Sequence, residues 1–474
     1  MPRQRRRAVM CDRPGPTSGG TMLELFRSPR RAMVWFVEAS LLSLLVCCAP
    51  GVLVGWEHTL DAERFGRTAS ISLVALASLY YHGLYGPEPP RARALVLTTF
   101  RALGLAAAVL WLAFWLVPDA QIGDRVILTS LGAAALVLPA WRAACDRVMR
   151  SESFSKRAVV LGSGELARSC AALIRKDGQV LGLRLAGRLV RDEEPIDEPE
   201  IAGRYRDLRR LVEQRGVAAV IVATSDRRAA FPLEELLDLK LRGVEIEEGM
   251  DFYERVTGKI CVRELKPSQI IFSHGFSVRR RTLIAKRIFD VACATAGLVL
   301  ALPLMALTAA LVKLDSRGPA LYSQIRTGAL GRPFRIHKFR SMRTDAEKDG
   351  AAWATENDPR VTRVGRFIRK TRLDELPQLW NVLVGEMSMV GPRPERPEFI
   401  DALEKQIPFF RQRLFVKPGV TGHAQVRCRY GASAEDALEK LQYDLYYMKS
   451  FSLWFDISIL IDTVKVVLWR IGAR

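Results

Sequence analysis

Apolar residues fall in long blocks along this chain, separated by short charged stretches, a pattern of membrane helices rather than of an alternating soluble core. Four blocks, at roughly 32–54, 68–85, 94–117 and 125–141, each approach the length a helix needs to cross hydrocarbon. The fourth is the shortest and contains Pro139. The first loop between them (Glu57, His58, Asp61, Glu63, Arg64, Arg67) and the third (Asp119, Asp124, Arg125) carry little net positive charge. The second carries Arg91 and Arg93, and the exit from the fourth block carries Arg142, Arg147, Arg150, Lys156 and Arg157. Positive loops stay on the cytoplasmic side, so the alternation predicts four crossings over 32–150 with both ends inside. Residues 1–31, rich in Arg, Pro and Gly, read as a basic disordered tail. The block behind it is longer than a signal-peptide core and lacks a small-x-small cleavage site, so it reads as a retained anchor.

From 151 to 278 the periodicity changes. Arg157–Leu161 and Ala218–Ala223 are short apolar runs of buried parallel strands, with a charged helix near 206–215 between them. A turn, Gly162-Ser163-Gly164-Glu165-Leu166-Ala167, leads from the first run into a helical pattern. Strand, glycine turn, helix and strand predict a doubly wound, Rossmann-like α/β domain. Gly162, Gly164 and Ala167 match a G-x-G-x-x-A nucleotide turn, whose backbone N–H groups would suit a phosphate. The strand over 183–189 is followed by Val190-Arg191, and Asp192 comes late for a ribose contact, so a structural or regulatory turn is favoured over a dinucleotide site.

A fifth apolar stretch, 288–312, is also long enough to cross. Arg279, Arg280, Arg281, Lys286 and Arg287 precede it, Lys313 and Arg317 follow it, and Pro303 removes a backbone donor at its middle. This favours a re-entrant helix over 286–314, broken at Pro303 with both basic flanks cytoplasmic, over a straight crossing.

The net charge of +20 points to anionic lipid or phosphorylated substrates. Nucleic acid is not expected, because zinc-finger spacing and RNA-binding signatures are missing. The eight cysteines form no C-x-x-C pair and the five histidines are dispersed, which predicts neither a disulfide framework nor a His/Cys metal cage.

Dense motifs begin past 315. Tyr322–Arg326 and Phe334–Phe339 alternate like two strands around Gly328 and Gly331, running into Lys338-Phe339-Arg340. Then come Val364-Gly365-Arg366-Phe367-Ile368-Arg369-Lys370-Thr371-Arg372-Leu373-Asp374-Glu375-Leu376-Pro377, Gly391-Pro392-Arg393-Pro394 and Lys417-Pro418-Gly419-Val420-Thr421-Gly422. Pro377 suits the first turn of a helix running to about Val384, which places Asp374 and Glu375 just before an anion-favouring helix start. Arg363, Arg366, Arg369, Lys370 and Arg372 surround the pair in sequence, so Asp374 is expected to be ionised. Glu375 offers a second oxygen for Mg²⁺, which takes carboxylates together with substrate phosphates. The segment Phe451–Trp469, apolar but holding Asp456, Asp462 and Lys465, reads as an interfacial helix lying on the membrane.

These motifs, in this order, resemble the bacterial polyprenyl-phosphate hexose-1-phosphate transferases, in their large multi-domain form. Gly391–Phe399, Gly431-Ala432-Ser433 and the Gly472-Ala473-Arg474 end look most like the exosortase-associated exopolysaccharide branch. The resemblance implies a monotopic α+β catalytic domain over 279–474, facing the cytoplasm of a multi-pass inner-membrane protein. It implies transfer of a hexose-1-phosphate from a UDP-hexose to undecaprenyl phosphate, with Asp374 as nucleophile and Glu375 as its metal-binding or acid–base partner. Mg²⁺ is the implied cofactor, held by Asp374 and Glu375. Lys338, Arg340, Arg372 and Arg393 are the candidate phosphate-binding cations, arginine forks being suited to two oxygens. The bilayer and downstream polysaccharide-assembly enzymes are implied partners, and the size of the accessory region suits a homodimer. Two positions depart from the family pattern: Leu302 stands where a Ser is common, and His423 where a Trp is usual. The rival readings are an NAD-dependent sugar-nucleotide dehydratase or epimerase and a non-catalytic assembly scaffold. The first would need a Tyr-x-x-x-Lys, which the chain lacks; the intact Asp374-Glu375 pair opposes the second.

Overall fold

The computed structural model of the protein describes residues 29–54, 62–85, 92–117, 124–149, 151, 154–196, 198–224, 231–273, 275–346, 358–428, 431 and 433–468. The basic tail up to residue 28, the inter-helix positions Glu57, His58, Asp61, Arg91 and Asp119, and the Gly472-Ala473-Arg474 end lie outside them. The described residues divide into two compact units, one up to Ser273 and the other from Gly275 onward.

The first unit opens with four helices, α1 (Pro29–Val54), α2 (Ala62–Tyr81), α3 (Ala92–Leu116) and α4 (Asp124–Met149). They coincide with the four apolar blocks, and α4 runs through Pro139 to Met149, well beyond the expected end near 141. By length and composition α3 from Arg93 and α4 can cross a membrane; the described apolar parts of α1 and α2 are shorter, Ala32–Cys48 and Ala69–Tyr81. Arg142, counted above as flanking charge, is committed inside the bundle. Its Nε and Nη2 donate to the two oxygens of buried Glu38 at 2.7 and 2.6 Å, and Nη1 donates to the Leu84 carbonyl at 2.7 Å. This forked pair clasps α1, α4 and the end of α2, and it neutralises a carboxylate that would be costly alone in hydrocarbon.

Next come β1 (Lys156–Leu161), α5 (Glu165–Leu181), β2 (Leu183–Val190), β3 (Ile201–Arg204), α6 (Leu208–Arg215), β4 (Val217–Val222), α7 (Leu233–Leu241), β5 (Glu245–Glu248), α8 (Gly249–Thr257) and a short α9 (Pro267–Phe272). The sheet order is β3-β2-β1-β4-β5 with every pairing parallel, the expected doubly wound layout. Ala158 and Val160 face α5 and α8, whereas Val159 and Leu161 face α6 and α7. Burial on both faces explains why β1 reads as an unbroken apolar run. Gly162 has φ +134°, and a Cβ there would stand 2.4 Å from the Ala223 carbonyl oxygen. Close approach of the turn to the end of β4 therefore requires this glycine.

In the second unit a long helix, α10 (Arg280–Asp315), is followed by the hairpin β6 (Leu321–Thr327) and β7 (Pro333–Phe339). Then come α11 (Arg363–Lys370), α12 (Gln378–Val384), β8 (Ser388–Val390), α13 (Pro397–Glu404), β9 (Gly419–Thr421), α14 (His423–Arg427), α15 (Ala434–Lys449) and α16 (Leu453–Leu468). The expected interruption at Pro303 is not seen: α10 is helical throughout. Its flanking Leu, Ala and Val residues keep their own helical bonds, so one missing donor does not end the helix.

Both ends of α10 pack on this same unit. Toward its start, Lys286 Nζ donates to Asp456 at 2.6 Å and Asp290 accepts from the Met389 amide at 3.0 Å. Toward its end, Asp315 accepts from the Val364 amide at 3.0 Å, and Val312 packs with Phe339 and Ile368. Between them the turn just before Pro303 stands outside the core, with Val299, Leu300 and Leu302 exposed.

Candidate active site

The hairpin supplies one wall of a cavity of about 650 Å³, within the roughly 300–1,000 Å³ typical of small-molecule sites. In register, Tyr322 lies opposite Lys338, and both line the cavity. A second wall is the turn after α11. Thr362 caps α11 by accepting from the Gly365 amide at 3.0 Å, and Gly365 has no room for a Cβ because the Ser341 carbonyl oxygen would lie 2.0 Å away. Arg372 then adopts φ +59°, a left-handed conformation uncommon outside glycine. That reversal turns the single 3₁₀ turn Leu373–Glu375 onto the hairpin.

Buried Asn381 locks this arrangement. Its Nδ2 donates to the Arg335 carbonyl at 2.8 Å and to Glu386 at 2.7 Å, while its Oδ1 accepts from the His337 amide at 3.2 Å. Sequence reasoning did not single out Asn381. Its place in α12, opposite a strand it cannot know from sequence, explains why.

Asp374 and Glu375 both line the cavity and are 8% and 9% exposed. Three of the expected cations converge on a single oxygen, Glu375 Oε1: Arg393 Nη2 at 2.8 Å, Lys338 Nζ at 3.3 Å and Arg372 Nη1 at 3.8 Å. Burial alone would raise Glu375, but Arg393, Lys338 and Arg372 outweigh it and hold its carboxyl well below the usual range. Asp374 differs. Burial first, and the Glu375 charge second, push it up to about 6 against the same cations. The expectation that surrounding arginines lower Asp374 is corrected, since the cations face its neighbour and desolvation dominates.

Arg340 is the second correction. β7 ends at Phe339, and the buried Arg340 guanidinium donates to the carbonyls of Arg317 (3.0 Å) and Ser316 (2.6 Å) behind α10. It satisfies the carboxyl end of that helix, so it is a structural cap at the cavity wall rather than a free phosphate clamp. Among the α11 cations, Arg369 lines the cavity. Pro377 sits one residue ahead of α12, close to its expected place. His423 is buried among Tyr443, Tyr446 and Phe455, and does not contact the cavity.

Among the described residues no group of three His, Cys, Asp or Glu gathers as a metal site. Two adjacent carboxylates at a cavity lined by cations are nevertheless the donor set Mg²⁺ takes when substrate phosphates complete its shell. In the α/β domain the glycine turn already holds an anion of the chain itself: the Ser163 hydroxyl bonds Glu194, whose carboxylate also accepts from Arg191 Nε at 3.0 Å.

Residues 281–470 match the family model described as bacterial sugar transferase. A UDP-N-acetylgalactosamine-undecaprenyl-phosphate N-acetylgalactosaminephosphotransferase of Aeromonas hydrophila is 44% identical over 47% of this chain and 52% of its own length. An undecaprenyl-phosphate galactose phosphotransferase of Salmonella typhimurium is 33% identical over 72% of this chain and 74% of its own. The chain belongs to the bacterial sugar transferases. A further member, a UDP-glucose:undecaprenyl-phosphate glucose-1-phosphate transferase of Escherichia coli, is 44% identical over 38% of this chain and 39% of its own. The chain thus spans about half or less of the Aeromonas and E. coli sugar transferases, whereas the Salmonella match extends well ahead of the 281–470 segment.

Proposed function

We propose that the protein transfers a hexose-1-phosphate from a UDP-hexose to undecaprenyl phosphate at the cytoplasmic face of the inner membrane, as the first step of exopolysaccharide assembly. The observation that carries this reading is the pair Asp374 and Glu375 at the cavity wall, with Arg393, Lys338 and Arg372 gathered on Glu375 Oε1. The activities for which the related sugar transferases are named support the same reaction class.

In the first step an Asp374 carboxylate oxygen attacks the phosphorus that carries the sugar. The Asp–O–P bond forms, the bridging P–O bond breaks, and UMP leaves with the electron pair. In the second step a phosphate oxygen of undecaprenyl phosphate attacks the same phosphorus and releases Asp374, giving the diphosphate-linked lipid. Splitting the exchange in this way is covalent catalysis. Arg393, Lys338 and Arg372 bring positive charge to the transferring phosphoryl group, where stabilising developing charge is the main demand. Asp374 and Glu375 would hold Mg²⁺, which when bound neutralises diphosphate charge as a Lewis acid.

Burial of Asp374 keeps water from the acyl-phosphate linkage. An α10 with both ends on the cytoplasmic side fits the reaction, because polar groups at both its ends bond the catalytic unit and a straight crossing would part them by about 30 Å of hydrocarbon.

The test is incubation of the purified protein with Mg²⁺, undecaprenyl phosphate and radiolabelled UDP-hexoses, following lipid-linked label and UMP. Asp374→Asn is expected to abolish both products and any labelled enzyme adduct. Wild-type turnover in that variant would overturn the nucleophile assignment.

A further inference from the structure

The segment that presents Arg393 has an unusual way of being held. Pro392 and Pro394 lack N–H groups, so the segment can scarcely donate, and its attachment rests on carbonyls that accept. Four consecutive carbonyls do so, each from a different residue. Pro392 accepts from the Gly419 amide at 2.9 Å and Glu395 from the Thr327 amide at 2.9 Å. Pro394 accepts from Arg326 Nη1 at 3.3 Å, and Arg393 itself from Arg413 Nη2 at 3.1 Å.

Arg413 stands behind the segment and is 4% exposed. The same Nη2 lies 2.8 Å from Asp444 Oδ2 on α15, and Asp444 is 1% exposed. Neither residue lines the cavity, so neither touches a substrate held there. Isolated burial of either charge would be strongly unfavourable, and together they form a fixed post. From that post the line of contacts runs Asp444, Arg413, the Arg393 carbonyl, the Arg393 guanidinium and Glu375 Oε1 at 2.8 Å.

We infer that Arg413 and Asp444 are positioning residues that set the reach of Arg393 onto Glu375 and the transferring phosphoryl group. A backbone donor cannot be removed by substitution, but a side-chain donor can, and Arg413 is the donor on the residue that matters. The inference rests on the transferase reading, and the wild-type assay separates the two: no transfer by the wild type would end the reading itself, before any variant is compared.

The experiment is a double-mutant cycle in the full-length protein in detergent or lipid nanodiscs. Arg413→Gln and Arg393→Gln are made singly and together, with Asp444→Asn alongside, and kcat and KM for the UDP-hexose are measured separately with the thermal midpoint of each protein. Loss of the aligning bond is expected to lower kcat about 10- to 100-fold, the range for a catalytic group misplaced by about an ångström, with KM changed less than about threefold. In the Arg393→Gln background, Arg413→Gln is expected to lower kcat by less than about threefold, because the group it positions is already gone. Arg413→Lys, which keeps a donor and a charge, is expected to recover part of the loss. Arg411→Ala, on the same turn but exposed and paired with Glu404, controls for local disturbance and should leave kcat unchanged. Equal losses in both backgrounds, or unchanged kcat in folded Arg413→Gln, would overturn the inference. Should Arg413→Gln fail to fold, the comparison of Arg413→Lys in the two backgrounds decides the same question.

Discussion

The rate of the first half-reaction should depend on acidity in a way an ordinary aspartate would not produce. Burial and the neighbouring Glu375 charge push Asp374 up to about 6. Attack needs the ionised form, which makes up about nine-tenths of the enzyme at pH 7 and about one-tenth at pH 5. The rate of UMP release should therefore fall about tenfold between those values, whereas a carboxyl near the ordinary 3.8 would lose less than about a tenth. The acceptor is a phosphate monoester that itself titrates near pH 6, so it must be left out. The assay is single-turnover UMP release from a subsaturating UDP-hexose at constant ionic strength and fixed Mg²⁺.

Neither carboxylate of the pair destabilises the fold within this window. Asp374 binds its proton more tightly folded than unfolded, so lowering the pH through about 6 toward 3.8 stabilises the fold through this group. Glu375 shifts the other way. Its contribution is present above its ordinary value of 4.5 and is lost only as the pH falls toward its depressed folded value, below the assay range. Glu375→Gln supplies the internal check. A like charge roughly 5 Å away at an effective dielectric near 20 is worth about 3 kcal/mol, or about two pKa units. The limb should move down by one to two units in that variant, even as the maximal rate drops. A wild-type rate constant within twofold from pH 7 to pH 5 would refute the reasoning.

Arg340→Met removes the donors that satisfy the end of α10 and should lower stability by about 2–4 kcal/mol, read by thermal unfolding in detergent; unchanged stability with weakened UDP-hexose binding would restore Arg340 to phosphate contact. Gly162→Ala places a Cβ 2.4 Å from the Ala223 carbonyl oxygen at φ +134°, and should destabilise the α/β domain by more than about 2 kcal/mol, seen as faster limited proteolysis between residues 156 and 257.

What was legible in the sequence was whatever depends on period and length. The four apolar helices, the parallel strands β1 and β4 and the β6–β7 hairpin follow from neighbouring residues alone. Illegible features join residues far apart. Glu38 and Arg142 are 104 positions apart, although a lone acid inside an apolar block was an available signal that it needed a partner. Arg340 was read as continuing the alternation of Lys338, but the strand stops at Phe339 and the side chain turns to carbonyls over twenty positions upstream. Counting arginines around Asp374 gave the wrong sign of its shift, because sequence distance cannot say which of two adjacent carboxylates the cations face. The cation trio Lys338, Arg372 and Arg393 was nevertheless nameable, and the structure brings all three to one oxygen.

The polarity of α10 and α16 ties the chemistry to the bilayer. The expected helix is present, but its charges point inward: Asp456, Asp462 and Lys465 are buried, while Trp454 and Val464 are exposed. α10 repeats this, with Lys286 and Asp290 buried and Val299, Leu300 and Leu302 exposed. Water would favour the reverse, and hydrocarbon against the outer faces accounts for both helices at once. The buried charges then connect the membrane-facing helices to the site. Lys286 Nζ and the Tyr447 hydroxyl both donate to the Val390 carbonyl at 3.1 Å and both bond Asp456, so α10, α15 and α16 meet at the last residue of β8. Three residues later comes Arg393. A phosphate carried on a lipid can approach only at the depth its chain allows, so the role proposed for Arg393 requires it to be set relative to the bilayer as well as to Asp374. Building its support on the groups that anchor the membrane-facing helices meets both requirements with one piece of structure.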